Sequence, residues 1–211
     1  MPLTLYNKKR NFKETSEPRG KIKKSVSGLS FVIQRHKATR LHYDLRLELD
    51  GVLKSWAVPK GPSLNPKDKR LAMMVEDHPY DYKNFEGTIP KGNYGAGIVE
   101  IWDEGFYADI DNSPKEEAEK KLRAGLKKGD LKFQLFGKKL RGEFALVKLK
   151  ANDDNSWLLI KHRDQYATDE EYNSEEQTKK NSPINKWLEE KENPAPKKKS
   201  SYKPHWFPIK N

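Results

Sequence analysis

The sequence predicts a mainly β domain, a barrel or sandwich of short antiparallel strands with one inserted helix. Three observations lead there. Residues 41–49 (LHYDLRLEL) alternate apolar and polar side chains with the period of a strand that has two unlike faces. Asp50-Gly51, a favoured two-residue hairpin turn, separates them from a second apolar stretch, Val52–Val58. Further short apolar runs, each bounded by turn residues, continue to residue 161.

In chain order, residues 1–27 show no sustained period and read as a basic arm that orders against a ligand, with Phe12 and Glu17 its candidates for specific contacts. Residues 31–33 are a short strand leading to His36. The hairpin register then pairs Leu49 with Val52, Leu45 with Trp56 and Tyr43 with Val58 on the buried side. Ser55 and Ala57 fall beside Arg46 and Asp44 on the polar side, where small neighbours leave room for a ligand. Residues 59–63 form a turn that carries Lys60, a candidate phosphate ligand. Residues 70–76 are a strand running into His78, which Pro79 holds extended at a strand end. Residues 85–90 are a short strand, 91–97 a glycine-rich turn without the features of a P-loop, and 98–102 and the region of 106–107 further strands. Ser113, Pro114 and Glu116 read as a capping box opening a peripheral helix that ends before Gly129. Strands follow at 131–136, 143–149 and 157–161, then a short helix at 182–191 docking Trp187 and Leu188. The expected organisation is a basic arm (1–27), a β domain (28–167), and a C-terminal helix with a Lys-rich tail (168–211).

Composition narrows the chemistry. With no cysteine among 211 residues, disulfides, thiolate zinc sites and cysteine nucleophiles are excluded, which leaves His, carboxylates and hydroxyls. The net charge of +11 is uneven: residues 1–27 hold eight Lys/Arg against two Glu, and residues 171–211 hold nine against six. Basic arms on a nearly neutral body suit attachment to nucleic-acid phosphates without sequence preference. No run approaches the ~18 apolar residues of a membrane span, and MPLTLYNKKR lacks the apolar core of a signal peptide. A cytoplasmic, membrane-free monomer is expected.

His42 and Asp44, two apart on one strand, address the same space. His36 is the natural third ligand, yet an unbroken strand would hold it about 20 Å from His42 at roughly 3.3 Å per residue. Joint ligation therefore requires residues 37–40 to turn. Two His and a carboxylate suit Mn²⁺ or Fe²⁺ with open coordination positions. A competing reading is a non-haem Fe²⁺ oxygenase, whose distal ligand would be His78 or His162; another is a nucleic-acid-binding module with an incidental His/Asp cluster.

LHYDLRLELDGVLKSWAVPKGPS, VEDHPYDY, FEGTIPKGNYGAG and WLLIKHRDQYA, in this order, resemble the signature segments of the 3′-phosphoesterase domain of bacterial and archaeal ligase D, over roughly residues 6–167. The resemblance implies a small closed β-barrel with peripheral helices. It also implies a Mn²⁺-dependent enzyme, with other divalent transition metals as alternatives, acting on DNA or RNA 3′ ends in primer–template form. His36, His42 and Asp44 match its metal ligands. Arg46, His78 and Tyr82 match groups around the scissile phosphate, Lys60 and Arg70 further basic contacts, Glu76 and Gln34 supporting residues, and Glu17 is retained. The family's Lys-Arg-Asp-Phe reads Lys9-Arg10-Asn11-Phe12 here, so any role of that Asp is in question. The polymerase and ligase modules of the large enzyme have no counterpart in the sequence, so a stand-alone type is expected, with Ku and a separate ligase or polymerase as candidate partners.

Overall fold

In the computed structural model, residues 3–25, 28–150 and 155–192 are described; the expected Lys-rich tail at 193–211 lies outside them. Along the chain come α1 (Thr4–Lys9), β1 (Leu29–Lys37), β2 (Leu41–Leu49), β3 (Val52–Val58), β4 (Lys69–Pro79), a 3-10 turn (Tyr80–Asn84) and β5 (Gly87–Ile89). They are followed by β6 (Gly97–Asp109), α2 (Lys115–Lys128), β7 (Asp130–Gly137), β8 (Arg141–Lys148), β9 (Ser156–Lys161) and α3 (Pro183–Glu192).

Neighbouring strands run β1-β2-β3-β4-β9-β8-β7-β6, all antiparallel, and β6 pairs back onto β1. The result is a closed eight-stranded barrel with β5 added beside β6. Closure removes the exposed strand edges that a sandwich must protect. The β2–β3 register is the expected one, Leu45 opposite Trp56 and Asp44 opposite Ala57, and Asp50 (φ 56°) and Gly51 (φ 78°) supply the positive φ angles of the turn.

Alternation along the strands separates two environments. Phe31, Ile33, Leu45, Leu47, Trp56 and Phe144 fill the barrel. On the outer face of β1–β4, Leu53 joins Leu3, Tyr6, Tyr82, Phe85 and Ile89 in a second apolar cluster. The N-terminal arm thus packs on the barrel wall. Tyr6 is fully buried and its hydroxyl donates to the Pro18 carbonyl at 2.7 Å. Leu3 and Tyr6, one helical turn apart, are too short an apolar stripe to register as a period.

Three local expectations are corrected. The Ser113 hydroxyl donates to Asp109 at 2.9 Å, so Pro114 is the N-cap of α2 and no side-chain cap forms. Residues 98–107 lie in one continuous strand, β6: Gly105 packs so closely on its partner strand that an added Cβ would sit 2.3 Å from the Phe136 carbonyl oxygen, so it permits pairing instead of breaking it. α3 docks through fully buried Ile184, with Trp187 and Leu188 half-buried. Among the described residues, no helix is long and apolar enough to cross a membrane.

Candidate metal centre

His36 and His42 are cross-strand partners in the β1–β2 hairpin, and Asp44 follows two residues on. The turn at 38–40 brings the two imidazoles to a centroid separation of 4.8 Å. His36 Nδ1 lies 3.6 Å from Asp44 Oδ2, and His42 Nε2 lies 3.5 Å from Asp44 Oδ1. One donor atom from each of the three residues falls within 4.8 Å of the others. The opposite ring nitrogens fix the tautomers: His36 Nε2 is 3.0 Å from the Gly95 carbonyl and His42 Nδ1 is 3.0 Å from the Arg40 carbonyl. A carbonyl only accepts, so each ring carries a proton there and turns its other nitrogen toward Asp44. Two imidazoles and a carboxylate, the rings oriented from behind, fit a divalent transition metal.

Asp44 is ionised. Burial pushes its carboxyl up, but the Arg46 guanidinium, with Nη2 3.0 Å from Oδ2, and after it the neighbouring His36 and His42 outweigh this and hold it well below the usual carboxylate range. Arg46 is itself fixed on several sides. Its Nε donates to Gln34 Oε1 at 2.6 Å, Gln34 is anchored on the Tyr82 and Phe85 carbonyls, and the guanidinium lies 4.8 Å from the Tyr82 ring centroid. Its Nη1 is buried without a protein partner. Such a donor costs about 1–3 kcal/mol, a cost that an anion beside the three ligands would remove.

His78 packs between Tyr6 and Tyr82, with ring centroids at 5.2 and 4.8 Å. Its Nδ1 donates to the Glu76 carbonyl at 2.9 Å and its Nε2 accepts from Arg10 Nη2 at 3.1 Å. Burial, then the charges of Arg46 and Arg10, push its pKa well below the usual histidine value, so the ring is neutral. The Tyr82 hydroxyl donates to Glu17 at 3.0 Å, and burial raises its pKa well above the usual tyrosine range.

Arg10 is a site residue that the sequence pattern does not single out. It bonds Glu76 at 2.6 Å and Glu17 at 3.3 Å and lines the pocket beside Asp44 and Arg46. The available signal was Glu17 itself, because a buried carboxylate needs a cation and the arm supplies one. Asn11 turns away and bonds Glu14 at 2.7 Å. Lys60 and Arg70 are not brought to this pocket: they line a different cleft with Tyr43 and Glu171, where Arg70 bonds Asp68 and the Tyr172 carbonyl, both at 2.8 Å. Arg70 is in phase with the core-facing Ala72 and Met74 of β4, whereas Glu76 and His78 follow a bulge onto the outer face, and six residues of strand put it about 20 Å from Glu76. Lys60 lies beyond the end of β3, past the Asp44–Ala57 pair. The oxygenase spacing is also excluded here, since His78 bonds Arg10 and His162 sits beside Glu143 at 3.4 Å.

The chain is 51% identical to the multifunctional non-homologous end joining protein LigD of Pseudomonas aeruginosa over 166 residues, which is 77% of this chain and 19% of that protein. It is 43% identical to the LigD of Mycolicibacterium smegmatis over 164 residues, covering 77% of this chain and 21% of that one. With the corresponding DNA repair protein of Mycobacterium tuberculosis, identity is 42%, over 77% of this chain and 20% of that one. The chain therefore spans about a fifth of the length of these curated relatives. A family model described as the DNA ligase D 3′-phosphoesterase domain matches residues 34–148, which include the three candidate ligands, Arg46, His78 and the loop that orients His36. On that match the chain belongs to the DNA ligase D 3′-phosphoesterase domain family.

Proposed function

We propose that this chain is a Mn²⁺-dependent 3′-phosphoesterase that heals nucleic-acid ends. It removes 3′-terminal ribonucleosides and 3′-phosphates from DNA or RNA in primer–template form and leaves 3′-hydroxyls for repair. The observation that carries this reading is the buried, unpartnered Nη1 of Arg46 in the same pocket as two imidazoles and an ionised carboxylate. It is an anion slot next to a cation site.

A bound divalent ion supplies Lewis acidity toward a phosphate oxygen and toward a water. The protein's own groups do the rest. Arg46 Nη1 donates to a second phosphate oxygen and offsets charge building on phosphorus, while Gln34 and Asp44 keep its plane fixed. His78 starts neutral with its Nε2 lone pair turned to Arg10. A phosphate entering the pocket offsets the two guanidinium charges and draws Arg10 off Nε2, which then takes a proton from solvent and passes it to the leaving oxygen. Tyr82 stays protonated and holds Glu17, hence Arg10, in place. On a diester, hydrolysis breaks the bond from phosphorus to the terminal nucleoside and leaves a 3′-phosphate. A second hydrolysis releases inorganic phosphate and leaves the 3′-hydroxyl that a ligase requires.

The relatives' names support a place in non-homologous end joining, with an end-binding protein such as Ku and a ligase or polymerase as partners. The test is a 5′-labelled primer–template ending in a single ribonucleotide or in a 3′-phosphate, incubated with Mn²⁺ or a chelator. Conversion of both ends to a 3′-hydroxyl only with metal supports the reading. Intact ends under every divalent metal tried would refute it.

A further inference from the structure

We propose that Tyr94 is the platform on which the 3′-terminal nucleoside stacks, so that the glycine-rich loop between β5 and β6 positions the substrate. The inference rests on the phosphoesterase reading above. The pocket around the three ligands has a volume of about 200 Å³, below the roughly 300–1,000 Å³ of cavities that engulf a drug-sized ligand. It has room for a phosphate, and the attached nucleoside must lie against its rim. Among the described residues lining it, Tyr94 alone is exposed, at 46%; Tyr82, the other aromatic ring there, is 2% exposed and offers no free face.

The ring is held ready. Its hydroxyl lies 3.1 Å from Lys9 Nζ and 3.5 Å from Glu76 Oε2, and the Lys9 ammonium sits 4.2 Å from the ring centroid. Ordering the ring in advance lowers the entropy lost on stacking. The next residue, Gly95 (φ 75°), uses its carbonyl to orient His36, so the ring and a metal ligand are tied together through one residue. Every base offers a π face, so such a platform holds the terminal unit without choosing its identity.

The test compares Tyr94→Ala and Tyr94→Phe with the unaltered chain on Mn²⁺-dependent turnover of two ends, a 3′-terminal ribonucleoside and the same unit lacking its base. A second readout, with a chelator present, is the fluorescence of 2-aminopurine as the unpaired 3′-terminal base. Y94A is expected to lose roughly five- to hundredfold in kcat/KM on the base-bearing end beyond any loss on the abasic end, the range for one base on one aromatic ring. It should also abolish the fluorescence change on binding, while Y94F keeps both. Equal losses on the two ends, or a Y94F as impaired as Y94A, would overturn the proposal. An active chain whose 2-aminopurine signal ignores Tyr94 would sink the platform alone. A Tyr94-dependent signal without turnover on any end would sink the phosphoesterase reading and leave the platform standing.

Discussion

His78→Gln should flatten the acid side of the stability profile. In the folded chain His78 is buried beside Arg10 and Arg46 and refuses a proton well below the usual histidine pKa, whereas in the unfolded chain it titrates at about 6.5. Below 6.5 the unfolded state therefore binds a proton that the folded state does not, and stability falls as pH falls. For one such group the loss is small at pH 7.0 and grows to at most roughly 1 kcal/mol at pH 5.5. Glutamine is uncharged throughout, so the variant loses this part of the slope whatever the substitution costs in packing. Urea unfolding at matched ionic strength with a chelator, followed by far-ultraviolet circular dichroism at the two pH values, measures it. Identical pH dependence in the two proteins would mean that folded His78 titrates normally, and the neutral, Arg10-bonded ring would be wrong.

Four further outcomes are expected. His42→Ala should abolish Mn²⁺ binding in isothermal titration and both hydrolytic reactions together; unchanged affinity would remove His42 from the site. His78→Ala should keep Mn²⁺ binding while losing turnover by roughly 10²–10⁴-fold, with a smaller loss on an aryl phosphate ester whose leaving group needs no proton. Gly97→Ala, whose new Cβ would lie 2.3 Å from the Lys37 carbonyl oxygen at φ 153°, should cost about 1–3 kcal/mol and weaken Mn²⁺ binding by displacing the turn that presents His36; wild-type values for both would show that the turn yields freely. Deleting residues 193–211 removes five Lys and no acidic residue, so the slope of log K against log salt on duplex DNA should flatten by up to about 0.9 for each phosphate that the tail no longer neutralises. An unchanged slope would make the tail a solubiliser.

What could be read in advance was local. The β2–β3 hairpin was legible to the residue because a two-residue turn with Asp-Gly leaves a single register. The need for a turn at 37–40 followed from strand geometry once His36, His42 and Asp44 were considered together. What escaped depended on partners distant in sequence. Arg10 belongs to a segment without period, and its meaning comes from Glu76, 66 residues away. Lys60 sits on a turn whose direction the local residues do not encode, and Arg70 matches a motif that says nothing of distance along a strand. Gly105 reads as a break because its close neighbour, Phe136, lies on a strand that sequence alone does not pair with it.

The docked arm gives this molecule two stabilities instead of one. Arg10 and Glu17 belong to a segment outside the barrel, held by the burial of Leu3 and Tyr6 and by carboxylate pairing. Detaching it exposes far less surface than opening eight closed strands, so sub-global opening precedes global unfolding. On heating, the pocket that Arg10 lines is then dismantled while the barrel stays intact, and recovers on cooling. Trp56 and Trp157 pack against one another inside the barrel, and the arm contains no tryptophan. Their fluorescence is blind to the first event, so a melting curve read from those two residues overstates the temperature range in which the pocket is whole.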